Sequence, residues 1–251
     1  GVLQYFTGPN DSLMERLLPD APNTYRMLSL DWGLRNMALV GFELFQQERE
    51  LHVFLSAPFS VLNDVSGECV QSHPEWCGAM VSNAFLSALK EYRDPSSPFW
   101  MFAHSTWQVD NPVSELVIEA PNPPRPDNHA LVAACAGALH SLFPRASVHQ
   151  VVRRQDVMRH FGIPVGGGRE ASKRGSLQAA QALFERSGYR VPYEQPDAAV
   201  EELLRSDHVC DALLMGCYVW RDHYSTVVFN AAPSTAAFRP TPMNARVLSR
   251  V

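Results

Sequence analysis

The chain has 251 residues, 46% of them hydrophobic and 19% charged, with a formal net charge of −5. That length and balance suit one globular domain with insertions, or one domain with a small appendage. They exclude a wholly basic nucleic-acid coat protein but leave room for a local basic groove, because binding depends on where the charges sit. No apolar run is long enough to cross a bilayer. Gly1 to Asn23 lack the basic start and apolar core of a signal peptide. The five cysteines (69, 77, 135, 210, 217) are odd in number and form no paired zinc spacing. They read as reduced thiols of an intracellular protein.

In chain order, residues 1–24 read as a loose lead-in. Leu13 to Leu18 suits a short helix, stopped by Pro19 and Pro22. A first strand is predicted over about 26–32. It is apolar and ends on Asp31. Gly33 follows where a hairpin favours a backbone able to take positive φ. A second strand is predicted over 37–45 and a third over 51–55, closing an antiparallel meander.

Residues 60–76 read as a loop. Residues 77–92 carry apolar side chains at helical spacing, and 93–112 read as an inserted loop or hairpin. Glu115 to Glu119 is a fourth strand that also ends on a carboxylate. Asp127 or Asn128 caps a helix running to Leu142. Ser147 to Val152 is a fifth strand, and Arg154 to Phe161 a short helix. Gly162 to Gly168 form a loop that reads as a lid sooner than a phosphate cradle, since no strand directly precedes it.

Arg169 to Ser187 is helical and begins with basic residues. Residues 190–196 are irregular. A last long helix is predicted over 201–222, and a tail without clear period over 225–251. Three meander strands followed by strands separated by helices predict an α/β fold, a mixed five-stranded sheet with helices on both faces. The expected domain runs from 25 to 224.

Three carboxylates then stand out. Asp31 ends the first strand, Glu119 ends the fourth, and Asp211 lies inside the last apolar helix. The topology places strands one and four side by side. Asp207 and His208 precede Asp211 by four and three residues and share a helix face with it. Carboxylates brought together repel and raise one another's pKa. A hard divalent cation, Mg²⁺ or Mn²⁺, relieves that repulsion and binds phosphate oxygens well. Each feature also has a plainer reading. Asp31-Trp32-Gly33 alone is a turn, Glu119 alone an exposed strand end, and Asp211 alone a surface acid. His208 is either a ligand or proton-transfer group or a structural histidine. Asp207 reads as helix-start decoration or as a supporting acid. Arg153, Arg154, Arg159, Arg169, Lys173 and Arg174 read either as phosphate contacts or as solvated helix charges. Phe99, Trp100 and Phe161 read as loop or core anchors sooner than as wedges between bases.

Ser29-Leu-Asp31-Trp-Gly33-Leu-Arg35-Asn36 resembles the first motif of RNase H-like Holliday-junction resolvases of the RuvC type, in their fungal mitochondrial and poxvirus branch. Val117-Ile-Glu119 with the proline-rich segment bearing Arg125 resembles the second motif, although Ala120-Pro121-Asn122 departs from it. Asp207-His208-Val-Cys-Asp211-Ala-Leu-Leu resembles the closing motif, with His208 where many members carry an acid. Lys173-Arg174 resembles the basic stretch before it. The resemblance spans roughly 25–222. It implies an RNase H-like fold and a structure-selective endonuclease that resolves four-way DNA junctions by two-metal phosphodiester hydrolysis. It implies Mg²⁺ or Mn²⁺, two per site, held by Asp31, Glu119 and Asp211 with Asp207 or His208. It also implies DNA contacts at Arg35, Asn36, Arg125, Arg153, Arg154, Lys173 and Arg174, a homodimer, and a mitochondrial or viral-factory location. Two rival readings remain open: a nuclease for RNA–DNA hybrids, and a non-catalytic scaffold in a nucleoprotein assembly.

Overall fold

The computed structural model describes residues 3–5, 24–33, 36–45, 50–55, 113–187, 204–221 and 226–231. The strands are β1 (Leu3–Tyr5), β2 (Thr24–Asp31), β3 (Ala38–Phe45), β4 (Glu50–Leu55), β5 (Glu115–Glu119), β6 (Val148–Val152) and β7 (Thr226–Ala231). The helices are α1 (Pro126–Leu142), α2 (Arg154–His160), α3 (Arg169–Ser187) and α4 (Asp207–Val219). All the strands share one sheet, in the order β1-β6-β5-β2-β3-β4-β7. The five expected strands form its centre. β3 runs antiparallel to β2 and β4, while the pairs β2–β5, β5–β6, β1–β6 and β4–β7 are parallel. This is the mixed α/β sheet that the element order predicts, widened by an edge strand on each side.

Side chains alternate across a strand, and here both faces are covered. Tyr25, Met27, Ala38, Val40, Phe42, Leu44, Val117 and Val152 join one core cluster with Val209, Cys210, Leu213, Leu214 and Cys217 of α4. α4 is buried nearly all round, as a helix apolar on every side must be. At Gly216 a Cβ would overlap the Phe42 ring, so glycine there sets how closely α4 approaches the sheet. The residues of opposite parity, Leu28, Leu30, Leu116 and Ile118, are also buried. α1 packs at β5 with its own buried row of Leu131, Val132, Cys135 and Leu139. Arg26 and Glu43, cross-strand partners on that second face, pair at 3.2 Å in the interior.

Several boundaries differ from the sequence expectation. The lead-in and the tail each supply an edge strand, β1 and β7, so the sheet draws on chain outside 25–224. The last helix starts at Asp207, not at 201, because Ser206 caps it: the Ser206 hydroxyl accepts from the Val209 N–H at 3.4 Å. In α1 neither Asp127 nor Asn128 is the cap. Pro126 takes the first turn, where its missing N–H is no loss. The Asn128 amide instead donates back to the Pro123 carbonyl at 2.8 Å. Gly33 is not among the glycines of positive φ, which among the described residues are Gly162, Gly166 and Gly168. A Cβ at Gly33 would run into the Asn36 carbonyl oxygen, so close backbone approach, not left-handed φ, requires glycine there. The expected helix at 77–92, the insertion at 93–112 and the segment 190–196 lie outside the described residues.

Glu115 is buried on the α4 face, where it accepts from the Trp220 indole N–H at 2.8 Å. Among the described residues its second oxygen lies within bonding distance of no donor, although the buried Gln150 amide is near enough to favour the carboxylate. Burial pushes its carboxyl up to about 7 from 4.5. The folded state therefore binds a proton that the unfolded chain has already lost, and stability falls as pH rises from about 4.5 to about 7. Glu115→Gln should remove this loss, gaining up to about 3 kcal/mol over wild type at pH 8 and little at pH 5. Thermal unfolding at the two pH values measures it. An equal difference at both would sink the assignment.

Candidate active site at the carboxyl ends of β2 and β5

β2 and β5 are parallel neighbours, with Leu30 opposite Ile118. Their final residues, Asp31 and Glu119, therefore end side by side. By parity both face α4, in line with Met27 and Val117. The start of α4 lies over them and brings Asp207, His208 and Asp211 to the same place. Asp31, Glu119 and Asp211 are all buried, at 5%, 7% and 9% exposure. They stand at the floor of a cleft of about 700 Å³ whose walls include Trp32, Arg154, Ser172, Lys173, Asp207 and His208. The loop from Pro164 to Gly168 forms one side, with Gly166 and Gly168 at positive φ.

Each carboxylate is held by a protein cation. His208 Nδ1 lies 2.7 Å from Asp31 Oδ2. Arg154 Nη1 donates to Asp211 Oδ2 at 2.7 Å and to Glu119 Oε2 at 3.5 Å. The other Asp211 oxygen accepts from the Ser176 hydroxyl at 2.7 Å. Lys173 Nζ pairs with Asp207 Oδ2 at 3.0 Å. The Trp32 indole donates to the Glu119 backbone carbonyl at 2.9 Å, tying the residue after β2 to the end of β5.

Burial raises the Asp31 carboxyl to about 6; the Asp211 charge adds to the rise, while the His208 hydrogen bond opposes it. Burial raises Glu119 to about 8, with the charges of Asp31 and Asp211 adding to it and Arg154 opposing. Burial also works against the Asp207 carboxylate, yet its bond to Lys173 and the nearby His208 bring it below the usual range. His208 is raised, chiefly by its bond to Asp31. The cluster thus holds more buried negative charge than its own cations neutralise comfortably. Hard carboxylate oxygens short of positive charge are the donor set that suits Mg²⁺ or Mn²⁺. Yet among the described residues no three His, Cys, Asp or Glu side chains converge on one point as ligands. Arg154 lies between Glu119 and Asp211, and His208 turns Asp31 toward itself.

Of the residues singled out from the sequence, Asp31, Glu119, Asp207, His208, Asp211, Arg154 and Lys173 all line the cleft. Asn36, Arg125, Arg153 and Arg174 are exposed and do not line it. Arg153 is paired with Asp156 at 2.8 Å, and Arg125 occupies the position before α1. Arg35, Phe99 and Trp100 lie outside the described residues. Phe161 packs against the core, as the plainer reading had it. Sequence reasoning missed Trp32, Ser172 and Ser176. The last two carry a signal: with Lys173 they recur at one-turn spacing on the face of α3 turned to α4.

No family model matches the chain, and no curated protein matches it. Among solved structures it is similar to Thermus thermophilus RuvC in complex with a Holliday-junction substrate, at 11% identity and a TM-score of 0.40 over 76% of this chain and 89% of that one. It is similar to the yeast mitochondrial Holliday-junction resolvase Ydc2, at 13% identity and a TM-score of 0.43 over 83% of each chain. It is also similar to the human cytomegalovirus terminase nuclease domain, at 12% identity and a TM-score of 0.31 over 81% of this chain and 86% of that one.

The His208–Asp31 pair has a thermodynamic signature. Because the folded imidazole is raised above its ordinary value, its contribution to stability is complete below about 6.5 and is lost as pH rises through the folded value. In the metal-free protein, a ¹⁵N-imidazole titration should find His208 holding its proton above the ordinary histidine range. Asp31→Asn should return it downward. No change on that substitution would show that Asp31 does not set the His208 charge.

Proposed function

We propose that the chain is a metal-dependent DNA nuclease that resolves four-way junctions. The observation that supports it is the meeting of three buried carboxylates from β2, β5 and α4 in an open cleft with Lys173 and Arg169 on its walls. Such a cluster is unfavourable for folding alone. A second support is the order of the three motifs along the chain, and with it the resemblance to the fungal mitochondrial and poxvirus resolvases.

In this reading Asp31, Glu119 and Asp211 hold Mg²⁺ or Mn²⁺, two ions per site, and Asp207 or His208 completes the set. Bound divalent metal supplies an activated water and stabilises the leaving oxygen of a phosphodiester. The chain's own residues do the remaining work. Lys173 and Arg169 face the cleft and attract the phosphate backbone. His208, bonded to Asp31, holds a proton at the edge of the acid set and is placed to pass it on. Ser176 holds the Asp211 carboxylate in place, and Trp32 fixes the backbone at the end of β5 from which Glu119 projects. Arg153 and Arg174, exposed on either side of the cleft-lining stretch, extend the basic surface to neighbouring phosphates, with Arg35, Asn36 and Arg125 as further contacts. Cutting two opposed strands of a junction symmetrically requires two sites, hence a homodimer. The resemblance favours a mitochondrial location.

The purified chain should cut a labelled four-way junction with Mg²⁺ and stop on addition of EDTA. Asp31→Asn should lower the rate at least roughly a hundredfold while junction binding persists. Cutting that ignores EDTA or Asp31→Asn would end the metal-nuclease reading. Cutting of an RNA–DNA hybrid with the junction left intact would replace the substrate. The same acidic trio gives the non-catalytic reading no observation of its own.

A further inference from the structure

The position of Arg154 is the most unusual feature of the cleft. It is the first residue of α2, separated from the end of β6 by Arg153 alone, and that exposed neighbour faces solvent. The Arg154 guanidinium instead reaches inward. One nitrogen bridges Asp211 at 2.7 Å and Glu119 at 3.5 Å, and the other lies 3.3 Å from the Ser172 hydroxyl. The two carboxylate side chains are only 9% and 11% exposed, while Arg154 itself is 25% exposed and lines the cleft. Without it, Glu119 and Asp211 would face each other buried, with Ser176 as the one remaining donor to either side chain among the bonds described. The bridge also accounts for the absence, among the described residues, of three side chains converging as metal ligands: these two acids are gathered around a nitrogen.

We infer that Arg154 is an internal substitute for a divalent cation, occupying Glu119 and Asp211 in the metal-free protein and leaving them when metal binds. The inference rests on the proposed metal-nuclease reading and deepens it. A divalent ion on Glu119 Oε2 and Asp211 Oδ2 would sit close to the guanidinium nitrogen that these oxygens now hold, and two cations so near each other repel. Binding of one therefore weakens the other by the same factor. A lysine in this position keeps the charge but not the planar fork that reaches two carboxylates and a hydroxyl together. The released guanidinium stays at the cleft wall, where a substrate phosphate is the remaining anion for it to meet. Metal loading thus prepares a phosphate contact as well as a metal site.

The test uses the full chain without DNA, so that it does not depend on cutting. Free Mn²⁺ is followed by electron paramagnetic resonance during titration of wild type, Arg154→Gln, Arg154→Lys and Asp31→Asn. Arg154→Gln should bind Mn²⁺ at least about tenfold more tightly than wild type. Arg154→Lys should fall between them. Metal-free Arg154→Gln should melt below wild type, and saturating Mn²⁺ should close the gap. A variant that folds only with Mn²⁺ supports the substitution equally. An Arg154→Gln affinity equal to or weaker than wild type, or a variant still unfolded at saturating Mn²⁺, overturns it. If wild type binds no Mn²⁺, or binds it no better than Asp31→Asn does, the metal-nuclease reading fails as well. If Asp31→Asn weakens binding and Arg154→Gln leaves it unchanged, the inference about Arg154 alone falls.

Discussion

Three carboxylates buried at one end of a sheet are a charge problem, and the rest of the cleft is arranged around its solution. Burial and mutual repulsion raise Asp31 to about 6 and Glu119 to about 8. The interior answers with two cations, His208 on Asp31 and Arg154 between Glu119 and Asp211, and with one neutral donor, Ser176. A single buried charge left without a partner is among the most destabilising arrangements a fold contains. The polar contacts of the cleft therefore act together: each keeps another from being an orphan.

The sheet makes this arrangement unavoidable once the strands are laid down. β2 sits centrally, joined to β3 by a hairpin on one side and to the later strand β5 on the other. That is a switch point in the order of strands, and the ground beyond the carboxyl ends of strands at such a point is where α/β sheets make room for ligands. Parallel pairing of β2 with β5 puts both strand ends at the same edge, and alternation puts both terminal acids on the same face. The missing side chain at Gly216 lets α4 settle against Phe42. The cap at Ser206 then starts α4 in time for His208 and Asp211, one turn apart, to reach the two strands.

Much of this is legible in the sequence because it rests on local pattern. Apolar runs marked β2 to β6, and carboxylates at the ends of two of them marked the site. A last helix apolar except at Asp207, His208 and Asp211 marked the third element of the site. What was not legible depends on partners distant in the chain. β1 has only three residues, and β7, though its Thr226-Val-Val-Phe229 run suits a strand, lies in a tail read as having no clear period; each pairs along one side only, with β6 and β4. Gly33 read as a positive-φ residue because a turn favours one; its actual constraint is the carbonyl of Asn36, which spacing does not reveal. Arg154 read as one of several basic residues suited to DNA. Nothing within its neighbourhood shows that its partners lie 35 residues before it and 57 after it.

The same contacts separate stability from metal. In a small metal-dependent fold the ion's binding energy is the folding energy, and a chelator unfolds the chain. Here the core is made elsewhere, from the apolar faces of β2, β3, β5 and α4, and the acids are already neutralised in part by Arg154 and His208. Any ion then adds only the linkage term set by its concentration and affinity. A scaffold that stands without an ion would keep its acids together whether or not metal is bound. If Glu119 and Asp211 hold a divalent ion, as proposed, the guanidinium already bonded to them would make that binding weaker.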